Sequence, residues 1–165
     1  DWREVISLKN SAEQLWDIEQ QNAKKDWGKL LHLVLSEIHY THQKDEVLTR
    51  FYKLGKCTSQ DFEKLKIVIN ELFEDKEILH YFSDDWHVKT EKEILTTSGK
   101  TYIPDRLLMS KETDKIVIVD YKTGEPQDKH IEQITNYAAA IMEMGKLNID
   151  RVLIYTSMQE RVQKL

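Results

Sequence analysis

The chain has 165 residues, 40% hydrophobic and 32% charged, so it suits one folded domain with its own core, and a second domain is not expected. Only five glycines and two prolines, with no low-complexity tract, exclude a disordered or fibrous chain. The net charge of -5 argues against a coat protein that holds nucleic acid on a basic face, but leaves open an enzyme that reaches phosphates through metal ions.

The single cysteine, Cys57, excludes an internal disulfide and any four-cysteine metal site, and it indicates a reducing compartment. No stretch has the apolar length of a signal sequence or a membrane span, so we expect a cytoplasmic protein without membrane contact. Because the chain starts at Asp1 rather than at a methionine, we expect it to be a domain of a longer polypeptide.

Residues 1–85 have the pattern of a helical region. Ser11, with Gln14 at the capping-box position, predicts a short helix to about Gln21, and Asp26 is a plausible cap for a second helix. The apolar residues of that second helix recur at helical spacing: Leu30, Leu31, Val34, Leu35 and Ile38. Charged sequence with few turn residues predicts two further helices, at 45–54 and 59–73.

The rest of the chain has the pattern of a sheet. Three consecutive strands are predicted at 86–95, 100–109 and 115–122, the last two as a hairpin around the turn KETD. A helix at 128–144 then precedes a fourth strand at 151–157. The order of helices followed by β-β-β-α-β predicts a mixed α/β fold, with a central mixed sheet flanked by helices.

The third strand, IVIVDYKTG, ends in charged residues. Side chains alternate along a strand, so Asp120 and Lys122 share one face and Tyr121 points to the other. Asp105, predicted near the middle of the preceding strand, can bring a second carboxylate to the same face. Adjacent carboxylates repel unless a cation bridges them, and oxygen ligands favour Mg²⁺ or Mn²⁺. On these residues alone, a metal site and a purely structural ion network remain alternatives.

Other kinds of site are not indicated. The dipeptides Gly55-Lys56 and Gly99-Lys100 are similar to the end of a phosphate-binding P-loop, but Arg50 and Ile94 stand where its first glycine belongs. We therefore expect no ATP site in this chain. The six histidines show no H-E-x-x-H spacing, so a zinc hydrolase is not expected either.

Four motifs occur together and in order over residues 27–157: W-G-K-L-L-H-L-V-L, P-D-R-L, I-V-I-V-D-Y-K-T-G and Q-x-x-x-Y. In this combination the chain resembles the RecB-type nuclease domain of the PD-(D/E)xK superfamily. The resemblance implies a restriction-endonuclease-like core and a Mg²⁺- or Mn²⁺-dependent DNA exonuclease. It also implies a parent chain of the RecB or AddA type, in which an ATP-driven helicase accompanies the nuclease in double-strand-break repair and recombination. Residues 41–85 carry no motif that the resemblance assigns.

The resemblance also implies roles for single residues. The metal ligands would be His32, Asp105, Asp120 and the carbonyl of Tyr121. Lys122 would be the catalytic lysine, acting with Asp105 and Asp120. Gln133 and Tyr137, four residues apart on one helix face, would contact DNA or support the lysine.

Several further residues are weaker candidates. Arg106 and Lys129 are candidates for phosphate contact or site support, Glu93 for an additional acid, and His39 for a substitute of His32. Two other functions stay open at this stage. One is an inactive, nuclease-like scaffold that binds DNA or a helicase; the other is a stand-alone nuclease that cuts branched or single-stranded DNA.

Overall fold

The computed structural model describes the backbone from Trp2 to Leu165 and the side chains from Gln20 to Leu165. The chain begins with a single helix of 36 residues, α1 (Trp2–Glu37). The predicted break before Asp26 is wrong, because residues 20–27 contain neither glycine nor proline and the alanine and lysines there favour helix. The predicted helix start at Ser11 is also wrong, because α1 already begins at Trp2 and runs through this position.

Three shorter helices complete the N-terminal half: α2 (Lys44–Lys53), α3 (Ser59–Glu74) and α4 (Lys76–His80). The first two confirm the helices predicted at 45–54 and 59–73. Helix α3 begins where a capping box forms, since the Thr58 hydroxyl accepts from the Asp61 N–H at 3.1 Å and Asp61 accepts from the Thr58 N–H at 3.2 Å. Helix α4 was not predicted, because five residues are too few to show a helical period.

Seven strands follow the helices: β1 (Trp86–Thr90), β2 (Ile94–Leu95), β3 (Thr101–Tyr102), β4 (Arg106–Ser110), β5 (Ile116–Lys122), β6 (Ile149–Tyr155) and β7 (Val162–Lys164). Five of them form the main sheet in the order β1-β4-β5-β6-β7, while β2 and β3 pair as a separate ribbon. Strands β5 and β6 are parallel, joined by the crossover helix α5 (Asp128–Met142), and the other neighbours are antiparallel. The predicted mixed sheet with flanking helices is confirmed.

The first two predicted strands are each divided in two. Glu91, with a φ of 50°, turns the chain after β1, and Pro104, which has no N–H, interrupts the second stretch. Asp105 therefore immediately precedes β4, and its predicted place near the middle of a strand is wrong. Strand β7 was not predicted, because its three residues include two polar ones.

Apolar clusters cover both faces of the main sheet. On one face, Val117 and Val119 of β5 pack with residues of α1 to α4. On the other face, Ile116 and Ile118 of the same strand pack with Ile134 and its neighbours on α5. Burial of each such side chain stabilises the fold by about 1.5–3 kcal/mol. Strand β5 is therefore held on both sides, and its C-terminal end is a rigid place from which to present charged groups.

Within the described part of the chain, no helix is both long enough and apolar enough to cross a bilayer.

Candidate active site

The C-terminal end of β5 presents Asp120 and Lys122 on the α5 face of the sheet, as the alternation of the strand predicts. The Lys122 ammonium lies 2.6 Å from Oδ2 of Asp120, whose side chain is only 3% exposed. Tyr121 points to the opposite face and is buried among the helices. Two charged side chains thus stand at the edge of an apolar core, where each strongly influences the other.

Asp105 joins this pair from the start of β4. The antiparallel register sets Arg106 opposite Val119, so the residue before Arg106 falls beside Asp120. Oδ2 of Asp105 accepts a hydrogen bond from the Tyr121 N–H at 2.7 Å. Burial, and then the negative charge of Asp120, raise the pKa of Asp105 to about 8. Near neutral pH a proton is therefore retained on Asp105.

Lys122 is held by a chain of hydrogen bonds from α5. Its ammonium donates to Oε1 of Gln133 at 2.7 Å, and Nε2 of Gln133 donates to the Tyr137 hydroxyl at 2.6 Å. Tyr137 packs edge-on against Tyr102 of β3, with ring centroids 5.7 Å apart. Burial, and then the charge of Asp120, raise the pKa of Tyr137 to about 12, so its hydroxyl stays protonated. The Q-x-x-x-Y pair thus fixes the position of the lysine.

His32 reaches the carboxylates from α1. Its Nδ1 lies 3.8 Å from Oδ1 of Asp105, and its ring meets Tyr121 edge-on at 5.9 Å. Burial is the main cause that lowers the pKa of His32, so the imidazole is neutral, which is the form that binds metal. By contrast, His39 lies beside the hydroxyl of Thr90, and the Arg106 charge lowers its pKa further after burial. The structure thus favours His32 over His39 at the site.

A family model of the PD-(D/E)XK nuclease superfamily matches residues 6–164, which is nearly the whole chain. The chain belongs to this superfamily. No curated protein matches it. Similar solved structures include a repair endonuclease from Pyrococcus abyssi, which is 20% identical, with a TM-score of 0.38. That alignment covers 56% of this chain and 38% of the endonuclease, so the chain spans well under half of the endonuclease's length.

In this member of the PD-(D/E)XK nuclease superfamily, Arg106 is not placed for phosphate contact. Its side chain is 0% exposed, and its guanidinium donates to the backbone carbonyls of Tyr81, Ile38 and His39. This burial contradicts the expectation that Arg106 contacts DNA. The alternative expectation, that Arg106 supports the site, stays a prediction. Lys129 on α5 and Glu93 after β1 are both exposed.

Two residues near the site were missed by the sequence reading. Glu91 follows β1, and its N–H donates to the Asp105 carbonyl at 3.3 Å; burial, and then the charge of Asp120, raise its pKa. His130 on α5 lies 3.3 Å from the Tyr155 hydroxyl, and burial, followed by the charge of Lys122, lowers its pKa. The sequence T-E-K-E did signal an acid here, but the regular strand assumed for 86–95 concealed the turn at Glu91.

The residues of this candidate site fit a hard divalent cation. Within the described residues, no three His, Cys, Asp or Glu side chains form a ready-made metal cluster. Yet Oδ2 of Asp120 is buried and, among the described residues, has no hydrogen-bond partner, since the contact with Lys122 is an ion pair rather than an aligned hydrogen bond. A cation between Asp105 and Asp120 would satisfy that oxygen and remove the repulsion that raises the pKa of Asp105.

The raised pKa of Asp105 predicts a pH-dependent stability. Between its ordinary pKa of 3.8 and about 8, the folded chain binds a proton that the unfolded chain releases, so this residue lowers stability as pH rises through that window. Asp105→Asn removes the ionisation and keeps an oxygen for the Tyr121 N–H. In EDTA we expect the variant to gain up to about 5 kcal/mol at pH 8, or up to about 10–20 °C in Tm, and nothing below pH 4.

Thermal unfolding of both proteins across pH 3.5 to 8.5 checks this expectation. Asp84→Asn, at an exposed carboxylate, is the matched control and should give a difference in Tm near zero at every pH. A difference for Asp105→Asn that does not change with pH would contradict the retained proton.

Proposed function

We propose that this chain is a metal-dependent deoxyribonuclease that hydrolyses phosphodiester bonds. The observation that carries the proposal is the convergence of Asp105, Asp120 and Lys122 at the end of β5, where the Lys122 ammonium lies 2.6 Å from the buried Oδ2 of Asp120. Membership of the PD-(D/E)XK nuclease superfamily supports hydrolysis of nucleic acid. The proposed cofactor is Mg²⁺ or Mn²⁺, because carboxylate and carbonyl oxygens suit both ions.

The proposed ligands are the carboxylates of Asp105 and Asp120, the Tyr121 carbonyl and the neutral His32 imidazole. Asp105 must lose its proton when it binds the ion, so binding should release a proton near neutral pH. When bound, the ion supplies Lewis acidity and lowers the pKa of an attacking water. The protein positions the oxygen ligands on two adjacent strands of a rigid sheet.

Lys122 supplies a positive charge beside the proposed metal ligands. Gln133 accepts a hydrogen bond from the ammonium and Asp120 neutralises part of its charge, so the ammonium has a fixed place and direction. From that place it can orient the attacking water or donate to a phosphate oxygen as negative charge develops. Gln133 and Tyr137 act in this proposal through Lys122, as positioning residues.

The finer assignment is a RecB-like exonuclease that works with an ATP-driven helicase in the same parent chain, in double-strand-break repair and recombination. The four motifs together, W-G-K-L-L-H-L-V-L, P-D-R-L, I-V-I-V-D-Y-K-T-G and Q-x-x-x-Y, support this assignment. A helicase that delivers strands to the site would also explain how a chain with a net charge of -5 engages DNA.

A cleavage assay of the wild-type chain tests the proposal. Linear single-stranded and double-stranded DNA, labelled at either end, are incubated with Mg²⁺, Mn²⁺ or EDTA, and a circular single strand separates exonuclease from endonuclease action. We expect cutting of linear DNA with either ion and none in EDTA, because chelation removes the ion held by Asp105 and Asp120. If a folded chain neither cuts DNA nor binds either ion by calorimetry, the scaffold function replaces the nuclease.

A further inference from the structure

A groove leads away from the candidate active site between α1 and α3. A hollow of about 300 Å³ borders His32, Lys122 and Thr123. A second hollow, of about 410 Å³, shares Thr123 and extends to Trp27 and Lys64. A third, of about 470 Å³, shares Trp27 and Lys64 and continues beside the start of α3. Because consecutive hollows share wall residues, they form one path, the α1–α3 groove, whose wall includes the basic residues Lys24, Lys25, Lys29, Lys56 and Lys64.

The groove is positively charged although the chain is acidic. Its acidic wall residues are Asp26 and Asp61, and Asp61 is occupied by the Thr58 N–H and hydroxyl at the start of α3. Five lysines therefore face two carboxylates along a path that ends at Lys122. A positive stripe on an acidic surface attracts a polyanion and gives it a direction, which here is toward the carboxylate pair.

Trp27 gives the groove a surface for bases. Its side chain is half-buried and packs against the helical core, and the Lys64 ammonium lies 3.8 Å from the centroid of its ring. An aromatic ring among lysines is the combination that binds single-stranded nucleic acid, since bases stack on the ring while the phosphates contact the cations. Paired bases are already stacked within a duplex, so the ring favours an unpaired strand.

Gly28 shapes the junction between the groove and the site. A Cβ atom built on it would lie 3.2 Å from Oγ1 of Thr123, closer than ordinary van der Waals contact. The missing side chain lets α1 approach the residue that follows β5, and this approach sets Trp27 and Lys122 along one continuous wall.

We propose that the α1–α3 groove binds the single-stranded part of a DNA substrate and directs it to the active site. Trp27 stacks with a base, and Lys24 and Lys64 contact phosphates, with Lys64 leaving the ring as the base takes its place. The proposal rests on the proposed nuclease function, because it names the form of DNA that the nuclease receives and the side from which the strand enters.

Binding in EDTA tests the groove separately from cleavage. The probe is a fluorescein-labelled oligo(dT) of twelve nucleotides, followed by anisotropy for the wild type, Trp27→Leu and Trp27→Phe. We expect Trp27→Leu to weaken binding about tenfold, which corresponds to about 1.4 kcal/mol, and Trp27→Phe to weaken it much less because an aromatic face remains. A blunt duplex of the same length should bind the Leu and Phe variants equally.

The lysines are tested by the salt dependence of binding. A plot of log K against log salt has a negative slope. In Lys24→Gln/Lys64→Gln, the magnitude of this slope should decrease by about 0.7 for each phosphate that the variant no longer neutralises, as for single strands in general. The control is Lys146→Gln, at an exposed lysine far from the groove. Lys146 lies two residues before Asn148, and the Asn148 carbonyl accepts a hydrogen bond from the Ile116 N–H, at the end of β5 opposite Lys122. The slope for Lys146→Gln should equal that of the wild type.

Several results would overturn the groove: no binding of oligo(dT) by the wild type, equal affinity of the Trp27→Leu and Trp27→Phe variants, or an unchanged slope in the double variant. Circular dichroism of each variant confirms folding, and Trp27→Phe keeps the test decisive if Trp27→Leu does not fold. A wild type that binds oligo(dT) through Trp27 but does not cut DNA in Mg²⁺ would overturn the nuclease and support the groove. Metal-dependent cutting, with oligo(dT) binding unchanged in the groove variants, would support the nuclease function and contradict the role of the groove.

Discussion

Lys122→Ala is expected to reduce metal-dependent DNA cleavage by roughly 100- to 1,000-fold, the range seen when one donor that stabilises transition-state charge is removed. The Lys122 side chain is 17% exposed and its ammonium is fixed between Asp120 and Gln133, so in the wild type no reorganisation is needed when charge develops on the phosphate. A water in the place of the ammonium would lack both its charge and its fixed direction. The rate of cleavage of linear DNA at saturating Mg²⁺ measures this loss.

Lys115→Ala is the matched control for this experiment. Lys115 also forms an ion pair, with Asp150 at 2.7 Å, but it lies just before β5, at the end of the strand opposite Lys122. We expect the control to keep the wild-type rate. Asp120→Ala should lose at least as much activity as Lys122→Ala, because it removes a proposed ligand. If Lys122→Ala cuts DNA within a factor of ten of the wild type, the catalytic role assigned to Lys122 is wrong.

The central strand and its charged end could be predicted because both follow from local rules. Four consecutive β-branched residues, Ile116 to Val119, indicate a strand buried on both faces, and alternation then determines that Asp120 and Lys122 share a face. The same reasoning placed Gln133 and Tyr137 on one side of α5. Asp120, Lys122, Gln133 and Tyr137 come into contact once α5 packs on the sheet. The β-α-β order of the sequence already implies that packing.

Other features depend on contacts that no local pattern reveals. The turn at Glu91 places a third acid near the carboxylates, yet its positive φ is an unusual conformation for glutamate. Asp105 lies at the start of β4 rather than in mid-strand, but its pairing with Asp120 is as predicted, because the register of the β4–β5 hairpin is determined by the apolar face. The length of α1 was missed because Asp26, a possible cap, lies within a stretch that favours helix.

Arg106 shows the limit of sequence reasoning most clearly, because an arginine next to a candidate ligand suggests a phosphate contact. The structure instead buries the guanidinium under Phe82, 4.0 Å from the centroid of that ring. Two of the carbonyls to which it donates, those of Ile38 and His39, directly follow the last residue of α1. Arg106 therefore caps the helix that carries His32, while its chain neighbour Asp105 faces the same histidine. The position of His32, a proposed metal ligand, is thus linked to a buried cation that lies away from the surface.

Arg106→Met is expected to destabilise the chain by about 3–5 kcal/mol, because three carbonyls lose their donor at about 1–3 kcal/mol each, and this corresponds to about 6–20 °C in Tm. Methionine fills much of the volume but leaves the carbonyls of Ile38, His39 and Tyr81 without their donor. Arg106→Lys should have a stability between those of Arg106→Met and the wild type, since one ammonium cannot replace the planar fork. Urea unfolding measures the loss, and Arg151→Met, at a half-exposed arginine bonded to Thr135, is the control.

The same variant separates a support role from a purely global one. At a temperature where Arg106→Met is still folded, we expect Mg²⁺ affinity to fall as well, because the end of α1 loosens and His32 is held less firmly beside Asp105. Calorimetric titration with Mg²⁺ at 10 °C, with circular dichroism at the same temperature, measures this. Unchanged Mg²⁺ affinity would show that Arg106 stabilises the fold but does not help to place the metal ligands. A loss of stability below 1 kcal/mol would show that the three carbonyls find other donors. Weaker Mg²⁺ binding in a folded variant would show that the buried cation helps to place the metal ligands.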